Sequence, residues 1–160
     1  MEATSDRPTR PIVIMFENDV HCAVDGYARL VALREQQRAL TPYVTTVSCG
    51  DFVQGDIVGS ISRGENIVEI MNQVGYDVVT LGNHEFDFGI SQMFKLTDDL
   101  DATVVSANFR DLRSAEPPFP SYRIIRYGEV DVAYLGLTTT TTATSVSPFT
   151  FLDEEGNIAY

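Results

Sequence analysis

Tryptophan is absent from this 160-residue sequence, cysteine and histidine occur twice each, and 11 basic residues face 23 acidic ones. Each scarcity excludes something. Two cysteines, Cys22 and Cys49, make no disulfide framework. They read as a pair of inert, buried thiols, with one bridge between them as the alternative. A net charge of −12 argues against holding a nucleic acid polymer or an anionic lipid surface by charge. No apolar run is long enough to cross a bilayer. The opening Met1 to Arg10 is a polar tail without the apolar segment of a secretory signal, which leaves the compartment undetermined.

What remains is a globular composition, 44% hydrophobic and 21% charged, with room over residues 11–160 for one domain or part of a larger one. An acidic protein that handles phosphate needs a source of positive charge. Two divalent cations at a site would move the formal charge from −12 to −8.

The hydrophobic pattern predicts a strand over 11–17, a helix from Tyr27 to Leu40 and a strand from Tyr43 to Ser48. In the first helix Arg29, Arg34, Glu35 and Arg38 are expected to face water. After a mixed stretch holding a short helix (53–62), Ile67, Ile70, Met71 and Val74 fall at i, i+3, i+4 and i+7, and Gly75 supplies the stop. A strand at 77–81, a helix from Ile90 to Leu100 and a strand from Thr103 to Ser106 complete an alternation that favours α/β layers with largely parallel strands. Tyr122 to Tyr127 and Val130 to Leu137 flank Gly128-Glu129 and read as a hairpin. The threonine run 138–142 reads as the end of that strand passing into a loop, and the tail from Pro148 as strand or loop.

Three predicted strands end in polar clusters: Asp19-Val20-His21, Gly50-Asp51, and Gly82-Asn83-His84-Glu85-Phe86-Asp87-Phe88-Gly89. The carboxyl ends of neighbouring strands are where α/β sheets bind ligands. Asp19, His21 and Asp51 together supply two carboxylates and an imidazole, a set suited to Mn²⁺, Zn²⁺ or Fe, and Asn83 adds a neutral carbonyl oxygen. Two such ions about 3.5–4 Å apart can hold a hydroxide and clamp phosphoryl oxygens. An aspartate three residues after His84, Asp87, can accept its second N–H and keep the ring charged.

Those stretches, Asn18-Asp19-Val20-His21, Gly50-Asp51-Phe52-Val53-Gln54-Gly55 and the octet 82–89, resemble the calcineurin-like metallophosphoesterases. Within these they are most similar to the bacterial 5′-nucleotidase/UDP-sugar hydrolase/2′,3′-cyclic phosphodiesterase group. The resemblance extends through Asp25 to Leu30, Ser106-Ala107-Asn108 and Gly136 to Thr139, covering nearly all of 11–147. It implies the N-terminal part of a four-layer α/β/β/α sandwich with a di-metal site (Mn, Zn, Fe, Co or Mg). Asp19 and His21 would bind the first ion, Asp51 would bridge, and Asn83 would bind the second. His84, oriented by Asp87, would stabilise the transition state or protonate the leaving oxygen; Glu85 is left between a structural and an active role. The implied reaction is hydrolysis of nucleotide phosphate esters by a metal-activated hydroxide.

The sequence departs from the family's pattern in one respect. The histidines that complete the second metal downstream, and the family's nucleotide-binding domain, have no counterpart here; both histidines are already used. The chain therefore reads as an N-terminal portion of a longer enzyme, holding one ion or none and hydrolysing weakly or not at all by itself. Exposed sheet edge and apolar surface would favour self-association. The family is often exported or surface-anchored. The competing readings are a non-catalytic binding module on the same fold and a one-metal sensor resting on Asp19, His21 and Asp51.

Overall fold

The computed structural model describes residues 10–160, so the expected polar tail, apart from Arg10, lies outside it. Four strands, β1 (Val13–Glu17), β2 (Val44–Ser48), β3 (Val78–Val79) and β4 (Thr103–Val104), form one parallel sheet in the order β1-β2-β3-β4. The crossovers carry α1 (Asp25–Arg38), α2 (Ile57–Ser62) with α3 (Glu65–Val74), and α4 (Ile90–Asp99). An antiparallel hairpin, β5 (Tyr122–Tyr127) and β6 (Val130–Leu135), follows. The α/β class, the parallel sheet and the hairpin agree with the sequence pattern.

Register assigns the faces. Glu17, Ser48, Val79 and Val104 lie in line across one face. Val79 and Val104 join the core formed with Ile67, Met71 and Met93 of the helices. The opposite face carries Phe16, Val47, Val78 and Thr103, and two residues back along β2, Thr45. There the hairpin lands: Tyr127 bonds the Thr45 hydroxyl, and Arg123 donates to Thr103 Oγ1 at 2.7 Å. The result is helices, sheet and hairpin in three layers. Because the four strands are parallel and adjacent, their carboxyl ends open at one rim, and the three polar clusters sit there.

The structure corrects several boundaries. β3 and β4 pair over two residues each, shorter than the apolar runs 77–81 and 103–106, because the chain leaves the sheet to build the rim. β6 stops at Leu135, and the threonine run turns away into a short helix, α5 (Thr142–Ser145), rather than extending the strand. A 3-10 turn over Pro148–Phe151 and a single bridge between Leu152 and Ile158 form the tail. Arg34 does not face water. It is buried at 8% exposure, and its guanidinium donates to the carbonyls of Val74 and Gly75 at the end of α3. Both cysteines are free thiols; Cys22 is buried, donating to the Phe52 carbonyl, but Cys49 is only partly covered.

Candidate metal and catalytic site

The loop after β1 is folded by backbone that ordinary residues avoid. Asp19, His21 and Cys22 take φ of 54°, 47° and 60°, and Asp51, after β2, takes 57°. Asp and His tolerate this left-handed region better than bulkier residues, at a cost of about 1–3 kcal/mol each. Loop-to-loop bonds hold it: the Asp19 and His21 N–H groups donate to the carbonyls of Gly50 and Asp51. Three of the four strained residues are the expected ligands.

Their donor atoms converge. One ligand atom each from Asp19, His21 and Asp51 lies within 4.8 Å of the others. The His21 Nδ1–H donates to the Gln54 carbonyl at 2.9 Å, which leaves Nε2 as the free lone pair, 3.6 Å from Asp19 Oδ1. An imidazole oriented through its far nitrogen by a carbonyl is the arrangement of metal-binding histidines. Two carboxylates and this imidazole fit a divalent cation in both donor type and orientation.

The octet after β3 crowns the cluster. Its 3-10 turn, His84–Phe86, is bonded to the Asp51 loop. The His84 N–H donates to Asp51 Oδ1 at 2.8 Å, and the His84 ring meets that of His21 edge-on with centroids 4.9 Å apart. His84 Nδ1 contacts Asp87 Oδ2 at 2.7 Å. Burial disfavours the charged ring, but the hydrogen bond and charge of Asp87, with Asp51 and Glu85 behind them, outweigh it and raise the His84 pKa. Asn83 precedes His84 on this turn, its carbonyl accepting from Phe86 N–H.

Three supports have no signal in residue spacing. Glu85 is 2% exposed and accepts three backbone N–H groups, from Asp51 (2.8 Å), Phe52 (2.9 Å) and Gly82 (2.6 Å). Burial pushes its carboxyl up to about 7 while those donors pull it down. The loops approach so closely that a Cβ on Gly82 would lie 2.3 Å from Asp51 Oδ1, and one on Gly50 2.2 Å from the Gly82 nitrogen. From the other side, Thr138 Oγ1 donates to the Leu81 carbonyl at 2.9 Å, and the Asn108 amide clasps the Thr138 backbone.

The chain matches a family model described as calcineurin-like phosphoesterase over residues 12–156. A snake venom 5′-nucleotidase of Gloydius brevicauda is 31% identical, over 89% of this chain and 28% of that protein. A 5′-nucleotidase of Bos taurus is 30% identical, over 92% and 29%. The chain thus spans under a third of the length of these curated relatives. Among solved structures, the NAD nucleotidase of Haemophilus influenzae superposes with a TM-score of 0.75 at 26% identity, over 84% of this chain and 27% of the other. By the extent of the family match, which takes in all three rim loops, the chain belongs to the calcineurin-like phosphoesterases.

Proposed function

We propose that this chain supplies part of the active site of a divalent-metal hydrolase of phosphate esters, with nucleotides as the substrate class. The observation that carries the reading is the meeting of Asp19, His21 and Asp51 under the Asp87-held ring of His84. The substrate class is supported by the relatives, which are named for 5′-nucleotides and NAD.

Asp19, His21 and Asp51 would hold the first ion, and Asp51 with Asn83 would contribute to a second. When bound, such ions polarise a phosphoryl oxygen and a water. The chain's own acid chemistry falls to His84. With Nδ1–H engaged by Asp87, the Nε2–H remains to protonate a departing ester oxygen, and the ring's charge offsets the negative charge gathering on the phosphoryl group. With two histidines in all, this chain alone holds one ion, mainly at Asp19, His21 and Asp51, and turns over substrate slowly or not at all.

Calorimetry with Mn²⁺, paired with thermal unfolding and a phosphate-ester assay, tests this. The expected result is one bound ion, stabilisation of about 2.7 kcal/mol at a hundred times the Kd, and loss of both in Asp51→Asn. No binding at millimolar Mn²⁺ would sink the metal site. Two tightly held ions with rapid turnover would sink the assignment of a partial site.

A further inference from the structure

Glu85 is given no ligand or acid role above, yet it is among the most enclosed polar groups of the rim. Its carboxylate lies between two loops that are 30 residues apart in sequence and bonds both: Phe52 N–H to Oε1, and the N–H groups of Asp51 and Gly82 to Oε2. The exchange is reciprocal, because the Asp51 carboxylate accepts the N–H of His84, the residue next to Glu85. Each loop thus presents a carboxylate to the other's backbone. Asp51 sits in left-handed φ, a conformation that the surrounding bonds must hold. No hydrogen bond joins Glu85 to another side chain among the described residues, and its burial beneath the loops keeps it from substrate.

We infer that Glu85 is a positioning residue, the clasp that locks the Asp51 loop to the Asn83–His84 turn and so sets the metal carboxylate and the acid histidine at one fixed separation. This rests on the metal reading of Asp51 given above, but the clasp itself is a statement about two loops. A glutamine at position 85 keeps the shape and spoils the pattern. Whichever way its amide turns, an NH₂ replaces one acceptor oxygen and faces either the Phe52 N–H or the pair from Asp51 and Gly82. Supports of metal ligands typically contribute 10–100-fold to metal affinity.

The test uses the chain with Mn²⁺ as probe. Glu85→Gln is expected to weaken Mn²⁺ binding by about 10–100-fold and, without metal, to shift the imidazole resonances of His84. Val68→Ala, buried in α3, serves as a destabilised control and should leave both unchanged. A folded Glu85→Gln protein with native Mn²⁺ affinity and unshifted His84 resonances overturns the inference. So does equal weakening in the control, which would make the effect one of general stability. If Glu85→Gln does not fold, amide exchange in the unaltered chain decides. Asp51, Phe52 and Gly82 should open together with equal protection, and independent exchange at these three amides overturns the clasp. If the unaltered chain binds no Mn²⁺, the metal reading fails alone, and the same exchange measurement still judges the clasp.

Discussion

His21 and His84 meet ring to ring, and their hydrogen-bond partners differ. His21 gives its Nδ1–H to the neutral Gln54 carbonyl, which keeps Nε2 available as a base for a cation. His84 gives its Nδ1–H to a carboxylate, which favours the imidazolium. Asp87→Asn should therefore lower the His84 pKa, which an imidazole NMR titration reads directly. The sign for stability follows from the raised pKa. The Asp87–His84 pair contributes fully below the ordinary histidine value of about 6.5, and its contribution fades as pH rises through the raised value. Asp87→Asn should thus cost roughly 0.5–1 kcal/mol near pH 5.5 and almost nothing at pH 9, as denaturant unfolding at the two pH values would show. Equal costs at both would remove the charge argument. At this scale the sequence was informative about placement: Asp19, His21 and Asp51 gather at the rim, with His84 and Asp87 beside them, where their spacing pointed. The Gln54 carbonyl and the N–H groups held by Glu85 were not legible, because backbone donors and acceptors carry no residue signature.

Among the elements, α3 was the most legible and α1 the least. The apolar positions of α3 repeat at helical spacing, and Ile67, Val68, Met71 and Val74 are buried as that spacing requires. In α1 Tyr27, Leu30 and Val31 turn toward the core as their spacing requires, but Leu33 stays exposed and the polar residue that turns inward, Arg34, reads as a surface cation. It instead closes α3: the last carbonyls of a helix have no partner within it, and Arg34 bonds those of Val74 and Gly75 where the helix dipole is negative. Arg34→Ala should destabilise the chain by about 1.5–3 kcal/mol, the range for buried hydrogen bonds from a charged donor. The exposed neighbour Arg38→Ala should stay within about 0.5 kcal/mol. Matching urea midpoints for the two variants would show that the capping bonds contribute nothing. The threonine run misled for a related reason. β-branched residues suit a strand, but Thr138 is taken up by Leu81 and Asn108, and a tertiary contact of that kind outweighs propensity.

For the molecule as a whole, layers were legible but coverage was not. The alternation of strand and helix predicts a parallel sheet, yet says nothing of how far the hairpin reaches across its second face. It reaches β2 and β4 through Tyr127 and Arg123 and leaves β1 bare. Ile14 and Phe16, on that face, are 45% and 72% exposed. Outward on the hairpin, Tyr122 and Ile124 pair across with Leu135 and Ala133, and the three large ones are more than half exposed. β1 also has no strand on its outer side among the described residues. An open edge beside uncovered apolar side chains is a template for a second copy, opposed by the mutual repulsion of chains carrying −12. The two effects separate by salt. Screening shortens the reach of the repulsion to about 8 Å at physiological ionic strength and about 3 Å at 1 M without removing apolar contact. Sedimentation velocity should therefore show this chain associating more strongly as NaCl is raised. Phe16→Asp combined with Ile124→Asp should hold it monomeric throughout. Association that weakens with salt would place the attraction in charge instead, and a monomer at high concentration in 1 M NaCl would show that these surfaces do not pair.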